Sequence, residues 1–289
     1  MPAKLIVHLP DRPASVHVLH EDRAVRLGRS TSAELLVQHS SVSRLHVELA
    51  YADAGAWRVV DLDSKNGLRV EGHRVPEALL RQACWFAIGD VFCEFEPIDA
   101  TQADALAQRD HQRRNSAVTW TQRVETSRSL EDLLQSILAG IVELADCRRG
   151  YVLLGGGLQD LEVRALHAID PKELDGEAFD GSRSVVARCF AERQPLFLSA
   201  RTDQAWLRQQ ASVVAHGLRS IVCLPLVHDG VLLGAVYADS DDHARLFTEL
   251  DAELLHAFAD RASAVLAASD IEAELKAMDR LLDTPPAAP

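Results

Sequence analysis

The sequence holds only two asparagines, Asn66 and Asn115, and only four lysines, Lys4, Lys65, Lys172 and Lys276. A composition that avoids both residue types still sets one of each side by side at Lys65-Asn66. Cysteine is sparse as well, at positions 84, 93, 147, 189 and 223, with no Cys-x-x-Cys spacing. An odd, dispersed set without a secretion signal points to reduced thiols in the cytoplasm, not to a disulfide framework. No apolar run approaches the roughly 18 residues of a membrane helix. Met1 to Val7 lacks the apolar core and cleavage site of a signal peptide. The expectation is a cytoplasmic protein that does not engage a membrane. A Gly-x-x-x-x-Gly-Lys loop is missing, which excludes a P-loop ATPase, and thiol catalysis lacks its cluster of reactive cysteines.

Positive charge is also short. The formal net charge is −13, so a general nucleic-acid role is excluded, because phosphate backbones need a basic face. The deficit is uneven. Residues 1–97 carry 11 basic and 13 acidic side chains, leaving most of the negative charge to the remainder. The front third is therefore the part that tolerates an anionic ligand. Scattered histidines complete the inventory; His8, His17 and His20 could be drawn together by a strand pair, but ordinary surface and core roles suffice for them.

What is present falls into two patterns. Residues 3–97 read as short strands spaced about 8–12 residues apart with turn signals between them, the pattern of an all-β sandwich. Leu5–Leu9, Ser15–Leu19, Ala24–Leu27, Leu35–Val37, His46–Leu49 and Trp57–Val60 are the clearest, followed by Gly67–Val70, Phe86–Ile88 and Val91–Phe95. Residues 99–129 lose that pattern; they are rich in Ala, Gln and Arg without glycine or proline, which predicts a helical linker. Leu130, Leu134, Ile137, Ile141 and Leu144 form a heptad-type seam, with Ser129 as N-cap. From residue 150 the pattern is α+β: an antiparallel sheet with flanking helices. It includes helices at Ser184–Arg193 and Asp203–His216, and a hairpin, Ser220–Val227 and Val231–Asp239, joined through His228-Asp229-Gly230. A long helix, Thr248–Leu282, carries the stripe Leu250, Leu254, Phe258, Ala262, Val265, resumed by Ile271, Leu275, Met278 and Leu282. The proline-rich tail is expected to lack structure. The expected organisation is 1–98, 99–129, 130–270 and 271–289: sandwich, linker, sensor or dimerisation domain, and helix end with tail.

The chemistry concentrates in three loops: Gly28-Arg29, then Ser43-Arg44-Leu45-His46, then Ser64-Lys65-Asn66-Gly67. Arg29 offers a planar fork for phosphate oxygens. Ser43 offers a hydroxyl and Asn66 an amide, while Gly28 and Gly67 permit close backbone approach. A plain Asx-type turn is the bland alternative for Asn66. In order and spacing these residues, with Gly89-Asp90 before the last strand, resemble the forkhead-associated (FHA) family over about residues 3–97. The resemblance implies an eleven-stranded sandwich whose end loops bind phosphothreonine peptides. Arg29 and Ser43 would contact phosphate, Arg44 would lie beside the phosphate or peptide, and Asn66 would hold the peptide backbone. Lys65 stands where many members have threonine. His46, with Gly28 and Gly67, would support the binding loops by hydrogen bonds and close packing.

Residues 130–270 resemble a GAF domain. The carriers are the entry helix, the apolar hairpin, and Phe247-Thr248-Glu249-Leu250-Asp251 before the last helix. Cyclic-nucleotide members carry Asn-Lys…Phe-x-x-x-Asp-Glu. Here Phe247 and Asp251 fit, but Asp239-Ser240 and Ala252 depart from it. The resemblance identifies no GAF ligand, and the FHA part requires no cofactor or metal. FHA-GAF order is similar to the front half of some bacterial regulators. Together these readings imply a non-enzymatic adaptor. It would bind a phosphothreonine-containing protein, a Ser/Thr kinase or its substrate, and form a homodimer through the apolar helix seams. The alternative is a ligand-gated GAF sensor whose FHA part only docks a partner.

Overall fold

In a computed structural model of the protein, the described residues are 1–10, 12–52, 55–169, 180–199, 218–242 and 245–282, without the side chains of 180–182 and 270–282. They divide into two compact units, Met1–Gln112 with Thr248–Leu250, and Arg113–Phe247 with Asp251–Pro289.

The first unit is a two-sheet sandwich. Its strands are β1 (Ala3–His8), β2 (Ser15–Leu19), β3 (Val25–Gly28), β4 (Leu35–Leu36), β5 (Val47–Tyr51), β6 (Trp57–Asp61), β7 (Leu68–Val70), β8 (His73–Val75), β9 (Glu77–Leu80), β10 (Cys84–Ile88) and β11 (Val91–Pro97). One sheet has the order β2-β1-β11-β10-β7-β8 and the other β4-β3-β5-β6-β9. Inward residues alternate along each strand, as in β3, where Val25 and Leu27 are buried and Arg26 is not. Trp57, Phe86 and Phe95 fill the space between the sheets, each 1% exposed or less. Strands β8 and β9 escape the periodicity reading. Each sits at the end of its sheet, and an edge strand needs no apolar run because solvent covers much of it.

The second unit is an antiparallel sheet between helices. Helix α1 (Ala100–Glu125) spans most of the stretch where composition predicts helix, and the division between the units falls within it. It is followed by α2 (Leu130–Ala145), β12 (Arg149–Leu154), β13 (Glu162–His167), α3 (Asp180–Glu192), β14 (Leu196–Ser199), β15 (Ser220–His228), β16 (Val231–Ser240) and α4 (Glu249–Leu282). The sheet order is β13-β12-β16-β15-β14, so both apolar hairpin strands lie inside it. The hairpin turns on Asp229 and Gly230, both at positive φ, as a two-residue hairpin loop of type I′ demands. Ser129 caps α2 by accepting from the Asp132 N–H at 3.1 Å. The helix expected over Ser184–Arg193 starts earlier, at Asp180, and ends at Glu192. The helix expected at 203–216 and the tail beyond residue 282 lie outside the described residues.

The seam of α2 has a different use from the one its spacing suggests. Leu134, Ile137, Ile141 and Leu144 are 3% exposed or less and join Phe258 and Ala262 of α4 in the core of their own unit. They are not available to a second chain. A heptad pattern reports only that one helix face is apolar, and here the sheet and α4 cover it. On the other side of the sheet, α3 covers a second cluster with Cys189, Cys223 and Tyr237. All three are buried, and Cys189 Sγ donates to the Cys223 carbonyl at 3.6 Å. His167 is half-buried on β13.

Candidate functional site

The site is built where β3 ends. Gly28 has no room for a side chain: a Cβ would stand 2.1 Å from the Arg44 carbonyl oxygen. That close approach lets two segments zip together. Arg29 N–H donates to the Ser43 carbonyl at 3.0 Å, Ser30 N–H to the Arg44 carbonyl at 3.1 Å, and His46 N–H to the Leu27 carbonyl at 2.8 Å. The third loop follows β6. Asp61 accepts from both the N–H and the hydroxyl of Ser64, and Ser64 Oγ in turn accepts from Gly67 N–H at 2.9 Å. This knot turns the chain through Gly67, whose φ of +75° suits glycine.

His46 ties the second loop to the third. Its ring is fully buried; Nδ1 accepts from the Ser43 N–H at 3.0 Å, and Nε2 faces the Gly67 carbonyl at 3.2 Å. A backbone N–H can only donate, so Nδ1 is the acceptor and Nε2 carries the proton. Two further bonds join the same loops: Lys65 N–H donates to Ser43 Oγ at 2.9 Å, and Asn66 Nδ2 to the Ser41 carbonyl at 2.7 Å. Ser41 Oγ also accepts from Asp90 N–H at 2.8 Å, bringing the β10–β11 turn into the network. Ser41 and Asp61 are supports that sequence reasoning did not name, and Ser64, quoted in the third loop, was given no role there. Serine and aspartate are common in any loop, which is why neither stood out.

The loops enclose an open cleft of about 720 Å³ lined by Arg29, Ser43, Arg44 and Lys65, with Asp63 as its carboxylate. Arg29, Arg44 and Lys65 are exposed, and among the described residues none of the three forms an ion pair. Ser43 Oγ accepts one bond, which leaves its own proton free to donate. Asn66 donates one amide hydrogen to the Ser41 carbonyl, which leaves its second N–H and its Oδ1 for other partners. Arg29, Ser43, Arg44, Lys65 and Asn66 are thus brought together, on a frame that includes Gly28, His46 and Gly67. Elsewhere, His8 bonds Glu94 and stacks on Trp85, whereas His17 bonds Ser15, so these two histidines go to different partners.

Burial pushes the His46 imidazole below its ordinary value of 6.5, against smaller upward pulls from the Gly67 carbonyl and Asp61. The unfolded chain therefore takes up a proton near pH 6.5 that the folded loop resists. The stabilisation is complete above about pH 6.5 and is lost as pH falls through the lower folded value. Protonation also makes Nδ1 a donor facing the Ser43 N–H, which breaks that tie. Thermal melts of the wild type at pH 7.5 and 5.5 should show a fall that is smaller in His46→Gln. The comparison isolates His46 from His17, which burial also lowers. An equal fall in both proteins would show that His46 does not control the transition.

In the second unit, Phe247 and Asp251 have structural partners. Phe247 is 4% exposed and packs on Phe197 with ring centroids 5.6 Å apart. Asp251, 1% exposed, accepts from Arg245 Nη2 at 2.5 Å and from Arg113 Nη2. Asp239 is engaged across the β12–β16 pair by Arg149 Nε at 2.6 Å. No described helix is long and apolar enough to cross a membrane.

Comparison with known proteins agrees with both halves. The family model for the FHA domain matches residues 25–89, and that for the GAF domain matches residues 127–267. No curated protein matches the chain. Among solved structures, the chain is 30% identical to FHA-1 of Rv1747 from Mycobacterium tuberculosis, covering 33% of this chain and 97% of that one, with a TM-score of 0.29. It is 21% identical to the FHA domain of the CT664 protein from Chlamydia trachomatis, covering 34% and 100%, with a TM-score of 0.33. It is 13% identical to the GAF domain of the Acinetobacter phosphoenolpyruvate-protein phosphotransferase, covering 56% and 98%, with a TM-score of 0.44. The chain carries an FHA domain, a β-sandwich, followed by a GAF domain, an antiparallel sheet with flanking helices.

Proposed function

We propose that the chain is a non-enzymatic signalling adaptor that binds a phosphothreonine-containing protein through its FHA domain. FHA and GAF domains mark a signalling protein, and both are typically non-catalytic modules. The observation that carries the reading is the cleft: three cations without an ion pair among the described residues and a serine hydroxyl converge on loops held in place by inter-loop hydrogen bonds. A phosphothreonine brings about −1.5 to −2 charge and three acceptor oxygens, which these groups complement. Arg29 and Ser43 take the phosphate, Arg44 and Lys65 lie beside it, and Asn66 Oδ1 accepts from the ligand main chain. Charge-assisted bonds contribute about 1.5–3 kcal/mol each, so three or four yield micromolar affinity after ordering costs. The partner is a Ser/Thr kinase or its substrate, in the cytoplasm. A phosphothreonine-peptide library tests this against the whole chain, with the unphosphorylated set as control. Retention of both sets alike would sink the reading.

The domain limits follow the same proposal: FHA over 1–98, a helical linker over 99–129, GAF over 130–270, and a helix end with tail over 271–289. The GAF domain dimerises or senses a small molecule. With the α2 seam spent in the core, the apolar spacing of Ile271, Leu275, Met278 and Leu282 is what supports a homodimer. Light scattering of the full chain should give twice the 31.7 kDa chain mass. Substitution of Leu275 and Met278 by glutamate should return it to one; a monomer at every concentration in the wild type removes the proposal.

A further inference from the structure

The outer face of the six-stranded sheet leaves large apolar side chains in water. Val16 of β2, Trp85 of β10 and Phe92 of β11 are 38%, 48% and 55% exposed. The register joins them: Val16 faces Ile6, Ile6 faces Glu94, and Glu94 faces Trp85, with Phe92 in the next outward row. Leu5, Val7, Phe86 and Cys93 alternate with these residues and lie in the sandwich core. Single apolar residues on a surface are ordinary, but a contiguous face of them marks an interaction surface.

A small groove opens beside Trp85. Its volume is about 190 Å³, and Lys4, Glu71, Cys84, Trp85, Glu94 and Glu96 line it. That is below the roughly 300–1,000 Å³ of a small-molecule pocket and suits a single side chain. The groove sets three carboxylates against one lysine. Lys4 pairs with Glu96, and His8 with Glu94 at 2.9 Å. Glu71 forms no ion pair among the described residues. Its Oε1 accepts from Trp85 N–H at 3.2 Å, and its own N–H donates to the Trp85 carbonyl at 3.1 Å, so the carboxylate is pinned beside the indole. His8 stacks on one face of that indole, with ring centroids 5.4 Å apart, and the rest of the ring is open.

We infer that this groove docks an arginine of a protein partner, whose apolar neighbours rest on Phe92 and Val16. The carboxylates disfavour an anionic membrane or a nucleic acid. A planar guanidinium can lie on the open indole and present its N–H fork to Glu71, which a compact ammonium cannot match. The surface is separate from the phosphate cleft, because Gly67 precedes β7 and Glu71 follows it at the opposite end. Docking here does not require a phosphothreonine in the cleft.

The test uses the full chain with isotope-labelled tryptophan and a blocked peptide that carries one arginine between leucines. The magnetic-resonance signal of the Trp85 indole, assigned by its loss in Trp85→Leu, should move as the peptide is added. A peptide with citrulline, the neutral counterpart of arginine, should bind about fivefold to tenfold more weakly, the scale of one exposed cation–π contact with one exposed ion pair. High salt should narrow that difference. Glu71→Gln keeps an oxygen to accept from Trp85 N–H, so it should melt as the wild type does while the preference falls to about twofold to threefold. Equal binding of the two peptides, or a Trp85 signal that neither peptide moves, overturns the inference. So does a Glu71→Gln variant that retains the full preference. A Trp85 signal that shifts with protein concentration alone would assign the face to a second copy of the chain, and the arginine proposal fails.

Discussion

Arg29→Ala should weaken phosphothreonine-peptide binding by about tenfold to a hundredfold, with folding retained. The range follows from one charge-assisted interaction of about 1.5–3 kcal/mol and tenfold per about 1.4 kcal/mol. The side chain is exposed and has no ion pair among the described residues, so its removal breaks nothing the fold uses. The structural contribution of this position is its backbone N–H, bonded to the Ser43 carbonyl at 3.0 Å, and alanine keeps that bond. A melting curve superimposable on the wild type, together with lost binding, is the expected pair of results. Undiminished binding by the variant would remove Arg29 from the phosphate site. Arg29→Lys should recover only part of the affinity, because a point charge cannot reproduce the guanidinium fork.

Asp251→Ala should destabilise the GAF domain by about 3–5 kcal/mol, the usual consequence of leaving buried charge without its partner. Asp251 is 1% exposed, and two arginines converge on it from α1 and from the segment before α4. Without the carboxylate, Arg113 and Arg245 would repel in a site where burial already lowers the Arg245 guanidinium below its ordinary value. Arg113 also donates to the Leu144 carbonyl at 3.2 Å, so the same cluster holds the end of α2. Calorimetry of the full chain should show the GAF transition lowered by about 10 °C, at roughly 2–4 °C per kcal/mol for a domain of this size. A shift of less than about 2 °C would mean the cluster is solvated well enough to lose its carboxylate. Asp251 would then need another explanation than an ion-pair lock between helices.

The loops proposed to bind phosphate were legible in sequence because they combine rare side chains at fixed spacing. Gly28-Arg29, Ser43-x-x-His46 and Asn66-Gly67 each carry a chemical requirement that ordinary turn composition does not explain. The helices and the hairpin were legible because apolar periodicity and turn residues act locally. The two edge strands were not, since an edge strand is stabilised by one neighbour and carries little apolar pattern. The α2 seam shows the opposite failure. Its spacing announced an apolar face, but spacing cannot say whether a second chain or the domain's own sheet covers that face.

The sequence by itself determined which groups could meet a phosphate, and the order of a sandwich, a helix and an α+β domain. Those properties reside in side-chain chemistry and in patterns only a few residues long. Tertiary structure alone decided how those groups are divided between contact and support. Ser41, 25 residues from Asn66, takes one hydrogen of the asparagine amide. His46, 21 residues from Gly67, fixes the loop from beneath. Glu94 meets Trp85 only because β10 and β11 pair in that register. Each outcome depends on which distant backbone group arrives within hydrogen-bonding or charge range, and no local pattern encodes that. Lys65 and Asn66, the rare neighbours in a chain that avoids both types, part company there: one cation faces the cleft, and one amide is partly spent on holding it open.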